Sequence, residues 1–106
     1  MSQVGSVDVK SLFDLCEGDG GVEIIDVRTP DEYAEVRSAF VTKHLPLDQF
    51  NPVDLGDKSK TYYFICRSGV RSMKAASVAA EIGYTCVNVE GGTLAWEEQS
   101  LPLKHG

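Results

Sequence analysis

The sequence lacks several features that would assign it to a common class of protein. No apolar run approaches the roughly 20 residues that a membrane span requires, and the amino-terminal segment lacks the basic and then apolar layout of a secretion signal. The three cysteines include no CxxC pair, and the two histidines show no metal-ligand spacing. We therefore expect a cytoplasmic protein with no metal site, no cofactor and no membrane partner.

Basic residues are also few. Ten lysines and arginines against sixteen acids leave a net charge of -6. This balance disfavours a nucleic-acid partner, because a basic face supplies most of the affinity for nucleic acid. Arg67, Arg71 and Lys74 nevertheless fall within eight positions. Their local positive field favours a small anionic ligand, while the oligomeric state is left open.

Strand-like and helix-like segments alternate along the 106 residues, which predict a single domain spanning 1–106. We predict strands at 22–27, 40–45, 61–66 and 86–89, and helices at 9–17, 30–36, 70–82 and 91–99. Residues 47–55 contain Pro52 and predict a short, irregular helix. Thr29, Pro30 and Glu32 form the signature of a capping box. The fold class is therefore α/β, with a mainly parallel five-stranded sheet flanked by helices on both faces.

Cys66 ends the strongest predicted strand, at the edge of the sheet where parallel α/β folds bind their ligands. The loop that follows is rich in backbone N–H groups and positive charge, and it precedes a helix amino terminus. These features favour the thiolate, which is the reactive form of cysteine. A buried core cysteine is the alternative, but the polar residues after Cys66 are poor core material. We interpret Cys16 and Cys86 as core residues.

Three segments of the chain carry motifs of one protein family. CRSGVRS (66–72) is similar to the active-site loop of the rhodanese-type sulfurtransferases. IDVRTPDEY (25–33) is similar to its DVR-x-x-x-E-[FY] segment, and GGTLAW (91–96), followed by LPL, is similar to its carboxyl-terminal motif. The three segments occur in the expected order and span about residues 22–103. The resemblance identifies the chain as a single-domain rhodanese with a rhodanese-like fold.

The resemblance implies a sulfur-transfer cycle with Cys66 as the catalytic residue. Cys66 would attack the outer sulfur of an anionic donor such as thiosulfate and become a persulfide. Cyanide, a thiol or a protein dithiol would then accept the sulfur. Loop N–H groups would stabilise the persulfide, and Arg67 or Arg71 would hold the donor. The implied substrate-binding residues are Arg67, Ser68, Gly69, Val70, Arg71 and Ser72.

Two other functions are compatible with the same loop. A phosphatase or arsenate reductase of similar fold carries five residues between cysteine and arginine, whereas four separate Cys66 from Arg71. The shorter loop favours a sulfur atom over a tetrahedral oxyanion. A non-catalytic interaction module would keep the fold, although inactive relatives generally lack the cysteine.

Other notable residues have structural interpretations. Arg28 is expected to form a salt bridge with an acid such as Glu32, although it could face the ligand. Trp96 is expected to anchor the core. The segment 35–43 departs from the family's G-H-[IV]-x-G-A pattern, so we expect Arg37 or Phe40 to alter the rim of the pocket.

A glycine pair precedes the last predicted helix. Gly91 and Gly92 are expected to permit close backbone approach and could border the pocket.

Overall fold

The β-branched and aromatic segments of the chain form strands, and the alanine-rich and amphipathic segments form helices. The computed structural model describes residues 3–18 and 21–106. The elements in chain order are β1 (Val4–Asp8), α1 (Val9–Glu17), β2 (Glu23–Asp26), α2 (Pro30–Glu35), β3 (Val36–Ser38), β4 (Lys43–His44), β5 (Thr61–Ile65), α3 (Val70–Glu81), β6 (Thr85–Glu90), α4 (Gly92–Glu98) and β7 (Leu103–His105). Short 3₁₀ turns at Leu47–Gln49 and Pro52–Leu55 replace the irregular helix expected there.

The main sheet has five strands in the order β1-β6-β5-β2-β4, and every neighbouring pair is parallel. This confirms the predicted fold class. The central strand β5 places Phe64 opposite Ile25 of β2 on one side and Asn88 of β6 on the other. Because all five strands run the same way, the loop after β5 lies at the same edge as the ends of β2 and β6.

Three strands were not predicted, and one is shorter than predicted. β1 has a weak local signal (VGSVD), and it forms because Val4 to Asp8 pair with Cys86 to Glu90 of β6. The predicted strand at 40–45 is reduced to β4, two residues long. β3 and β7 form a separate antiparallel pair, in which Arg37 lies opposite Lys104. The segment 35–43 is therefore tied to the carboxyl terminus.

Two apolar clusters fill the space on opposite faces of the sheet. The alanines of α3, among them Ala75, Ala76 and Ala79, pack on one face. Leu12 of α1 and Trp96 of α4 pack on the other. Trp96 is fully buried and its indole N–H donates to the Pro102 carbonyl at 2.6 Å, which confirms its predicted role as a core anchor. The helices therefore cover both faces, as expected.

The two cysteines interpreted as core residues occupy the interior to different degrees. Cys86 is buried in the cluster beneath α3, which confirms that interpretation. Cys16 is half-buried and packs against the opposite cluster. Burial raises the pKa of both thiols, and that of Cys86 reaches about 11. Neither thiol is therefore activated as a nucleophile. Within residues 3–18 and 21–106, no helix is both long enough and apolar enough to span a membrane.

Candidate active site

The loop from Cys66 to Gly69 connects the end of β5 to the start of α3. Gly69 precedes the helix with φ of 103°, in the left-handed region that favours glycine. This turn directs the Gly69 N–H at the sulfur of Cys66, with an N–Sγ distance of 3.0 Å. The requirement for glycine at this position of the loop is therefore conformational.

The sulfur of Cys66 is enclosed by hydrogen-bond donors. Cys66 is 1% exposed, and the Ser72 hydroxyl lies 3.3 Å from Sγ. Burial raises the pKa of the Cys66 thiol, but hydrogen bonds from the Ser72 hydroxyl and from the N–H groups of Ser72, Gly69 and Ser68 outweigh it. The pKa of Cys66 therefore lies below its ordinary value. Among the three cysteines, only Cys66 is biased toward the thiolate.

The start of α4 holds the loop from its other side. The Thr93 N–H donates to the Cys66 carbonyl at 2.8 Å, and the Leu94 N–H donates to the Arg67 carbonyl at 3.0 Å. The Thr93 hydroxyl also donates to the Cys66 carbonyl. A Cβ on Gly92 would lie 2.6 Å from the Arg67 carbonyl oxygen. Gly92 thus permits the close backbone approach expected of the glycine pair.

Arg71 is held by an acid from another helix. Its two guanidinium nitrogens donate to the two carboxylate oxygens of Glu32 at 2.7 and 2.9 Å. Glu32 also closes the predicted capping box with Thr29 at the start of α2. Much of the Arg71 charge is therefore compensated before any ligand arrives, whereas Arg67 is exposed at the rim of the loop.

The predicted salt bridge of Arg28 with an acid is confirmed, but its partner is Asp26 and not Glu32. Both residues of the Arg28–Asp26 pair are buried, and two guanidinium nitrogens contact the Asp26 carboxylate at 2.8 to 3.1 Å. Arg28 also donates to the Val36 carbonyl at 2.7 Å. Asp26 ends β2 two residues earlier, so it lies within reach as the chain leaves the sheet, while Glu32 turns toward Arg71.

The ion pair between Glu32 and Arg71 predicts how acid affects stability. The pKa of Glu32 falls from its ordinary 4.5 to about 2, chiefly because Arg71 donates hydrogen bonds to it. A lowered folded-state pKa stabilises the fold above the unfolded value, and the benefit is lost as the pH falls through the folded value. We expect wild type to be more stable than Glu32→Gln at neutral pH, with the difference shrinking between about pH 4.5 and 2. Urea unfolding of both proteins across this range tests it, and a constant difference would contradict it.

Two hollows flank the ion pair. One, of about 270 Å³, is largely apolar and lies between Arg71 and the chain around Val27, Pro46 and Leu47. The other, of about 150 Å³, lies beside Arg67 and is lined mainly by charged side chains, among them Glu97. Arg71 therefore borders the apolar hollow and Arg67 borders the charged one, while Cys66 lines neither.

The expectation that Arg37 or Phe40 alters the pocket rim is not supported by their positions. Arg37 stacks over the ring of Tyr33, 4.6 Å from its centroid, and Phe40 packs edge-on against Phe13 and Trp96. Neither lines the two hollows beside the loop. Within the altered segment, Phe40 and Val41 pack on the second cluster, whereas Glu35 and Val36 line the charged hollow.

Sequence reasoning located the loop but missed the residues that support it from elsewhere. Glu32, Asn88 and Thr93 were not predicted to contact it, although two of them belong to recognised motifs. Their contacts join residues 16 to 39 positions apart. The available signal for Asn88 was a polar asparagine inside a strand predicted to be buried, because a buried amide needs hydrogen-bond partners.

Comparisons with known proteins agree with this fold. The family model described as Rhodanese-like domain matches residues 8–99. YtwF of Bacillus subtilis, provisionally named a sulfurtransferase, is 36% identical over 100 residues, which cover 94% of this chain and 97% of that protein. Thiosulfate sulfurtransferase 18 of Arabidopsis thaliana is 32% identical over 122 residues, which cover 95% and 84% respectively. The crystal structure of a rhodanese-like domain protein from Staphylococcus aureus matches with a TM-score of 0.80 and 35% identity, covering 88% of this chain and 91% of that one.

Proposed function

We propose, from the premise that this chain belongs to the rhodanese-like domain family, that it transfers sulfane sulfur through a persulfide on Cys66. The observation that carries the proposal is the set of hydrogen bonds from Gly69 and Ser72 to the Cys66 sulfur. They favour an anion at the position where a sulfur nucleophile is required. The sulfurtransferase names of the relatives support the same reaction class.

The proposed cycle has two displacements at sulfur. In the first, the Cys66 thiolate attacks the outer sulfur of thiosulfate, a new S–S bond forms, and sulfite leaves with the electron pair of the broken bond. In the second, an acceptor nucleophile attacks the outer sulfur of the persulfide, and the Cys66 thiolate is the leaving group. Cyanide would yield thiocyanate, and a thiolate would yield a new persulfide. Donors that stabilise negative charge on the sulfur of Cys66 therefore assist its departure in the second step.

Arg67 is the proposed contact for an anionic donor. It is exposed beside the charged hollow, whereas Arg71 is already bound by both oxygens of Glu32. A guanidinium can form charge-assisted hydrogen bonds with the sulfonate oxygens of thiosulfate. The name of the Arabidopsis relative supports thiosulfate as the donor.

Loss of Arg67 is expected to weaken the use of anionic donors. A hydrogen bond to a charged group contributes about 1.5 kcal/mol or more, so Arg67→Ala should lower kcat/KM for thiosulfate by about tenfold. A sulfur donor without a charged group should be used almost as well as by wild type. Steady-state kinetics with both donors gives the comparison.

Lys74→Ala is the matched control for that experiment. It removes the same charge from an exposed position on α3, three residues beyond Arg71. It should change kcat/KM for thiosulfate much less, because a distant surface charge is screened by salt. Equal losses in the two variants would show that Arg67 acts only through the overall charge.

The proposal is tested directly by the mass of the reduced protein after incubation with thiosulfate. The peptide that contains Cys66 should gain the mass of one sulfur atom, and addition of cyanide should remove it and release thiocyanate. Thiocyanate formation without the intermediate would contradict the covalent mechanism. The absence of both, with thiosulfate and with an organic persulfide as donors, would contradict sulfur transfer.

A further inference from the structure

Asn88 has an amide side chain buried inside β6, and the sheet itself does not require it there. The residue is 2% exposed and lies opposite Phe64 of β5 in the sheet register. Burying an amide is unfavourable unless it is hydrogen-bonded. The Asn88 side chain makes two hydrogen bonds. One is with Gly69 of the Cys66 loop and the other is with Ser72 in the first turn of α3.

The two contacts determine how the amide is oriented. The Asn88 Nδ2 group donates to the Gly69 carbonyl at 3.1 Å. A carbonyl oxygen only accepts, so the amide nitrogen must be the atom facing Gly69. The amide oxygen then faces Ser72, whose hydroxyl oxygen lies 2.6 Å away.

The Ser72 hydroxyl therefore has two acceptors and one proton. It can donate to the Asn88 Oδ1 atom at 2.6 Å or to the Cys66 Sγ atom at 3.3 Å. A neutral Cys66 can donate its own proton to the Ser72 oxygen, which leaves the hydroxyl proton on Asn88. A Cys66 thiolate can only accept, so it competes with Asn88 for the hydroxyl proton.

We propose that Asn88 is a positioning residue for the Cys66 sulfur, because its amide holds the Gly69 carbonyl and competes with Sγ for the proton of Ser72. The inference rests on the proposed function and adds a device that adjusts it. Backbone N–H groups, that of Gly69 among them, are constant donors to the sulfur, and the Ser72 hydroxyl is the variable one.

This arrangement follows the charge through the sulfur-transfer cycle. When Cys66 is a thiolate, the Ser72 hydroxyl donates to Sγ, and Asn88 Oδ1 loses its hydrogen bond from Ser72. When Cys66 carries the transferred sulfur, the charge lies on the outer atom and Sγ is a neutral, weak acceptor. The Ser72 hydroxyl then donates its hydrogen bond to Asn88 Oδ1 again. As the acceptor removes the outer sulfur, charge develops on Sγ and the hydroxyl proton turns back to stabilise the leaving thiolate.

The charged groups nearby are separate from this pair. Arg71 on α3 is paired with Glu32 of α2, and the Asp26–Arg28 pair occupies the end of β2. Arg67 is exposed. The strand β6 and the start of α4 contribute neutral polar groups to the sulfur's surroundings, through Asn88 and Thr93. A change at Asn88 therefore alters the hydrogen bonds to the sulfur without changing any charge.

The test is the pKa of Cys66, measured from the pH dependence of its alkylation by iodoacetamide. Ser72→Ala removes the hydroxyl and keeps the backbone N–H, so it should raise the pKa of Cys66. Asn88→Ala and the shape-matched Asn88→Leu remove the competing acceptor. Each substitution should lower the Cys66 pKa when Ser72 is present. In the Ser72→Ala background the same substitution should lower the Cys66 pKa less.

This double-mutant comparison separates positioning from simple support of the loop. If Asn88 only braces Gly69, its substitution shifts the pKa equally in both backgrounds, and that result would overturn the proposal. An unchanged pKa in Ser72→Ala, the mildest of the variants, would overturn it as well. Thermal unfolding of each variant verifies that the fold is retained. The alkylation measurement needs no sulfur donor, so its result does not depend on whether the protein transfers sulfur.

Discussion

Substitution of Cys66 by serine is expected to reduce sulfur transfer to the level of buffer without protein. A serine oxygen at neutral pH is un-ionised and cannot form the persulfide on which the proposed cycle depends. The fold should be retained, because the serine oxygen can accept from the same Gly69 and Ser72 donors that now contact the sulfur. Thiocyanate production and the mass of the 66-containing peptide measure the effect.

Cys16→Ser is the matched control for the loss at Cys66. Cys16 is half-buried on the opposite face of the sheet, and burial raises the pKa of its thiol. Its substitution should leave turnover near the wild-type rate. Substantial activity remaining in Cys66→Ser would assign the nucleophile to another residue and would reject the proposed function.

The second large effect is expected from Gly92→Ala, which should displace the Cys66 loop where its backbone contacts the start of α4. Gly92 has φ of 58°, where an alanine is strained, and its Cβ would lie 2.6 Å from the Arg67 carbonyl oxygen. Backbone strain and overpacking should together cost about 3 kcal/mol or more. The displaced loop should also lose its bonds to Thr93 and Leu94, and turnover should fall with stability. Urea unfolding and thiosulfate kinetics measure the two effects.

Gly21→Ala separates the clash from the strain. Gly21 also has a positive φ, of 71°, but a Cβ there would meet nothing within 4 Å. The substitution should cost only the conformational strain of about 1 kcal/mol and leave turnover unchanged. A similar loss of stability in both variants would show that the contact between Gly92 and the loop is unimportant.

The parts of the fold with strong local signals were predicted well. The apolar run of β5, the alanine-rich α3 and the capping box of α2 each depend on residues a few positions apart. β1 was missed because its short VGSVD segment forms a strand only when β6, about 80 positions away, supplies its partner. β3 and β7 were missed for the same reason, since each forms only by pairing with the other.

The sequence by itself determined the reactive loop, whereas tertiary structure decided its electrostatics. Cys66, Gly69 and Ser72 lie within seven positions, so the donors to the sulfur follow from one tight turn and the helix after it. Whether Arg71 is free to bind a ligand depended on Glu32, which lies 39 positions away and pairs with it.

The support beneath the loop was likewise decided by the fold. Asn88 and Thr93 reach it because parallel pairing of β5 with β6 brings the ends of both strands to one edge of the sheet. Local sequence specifies the turn and its N–H groups, because these need only neighbouring residues. Only the packed sheet specifies which arginine remains exposed and which residue competes for the proton of Ser72.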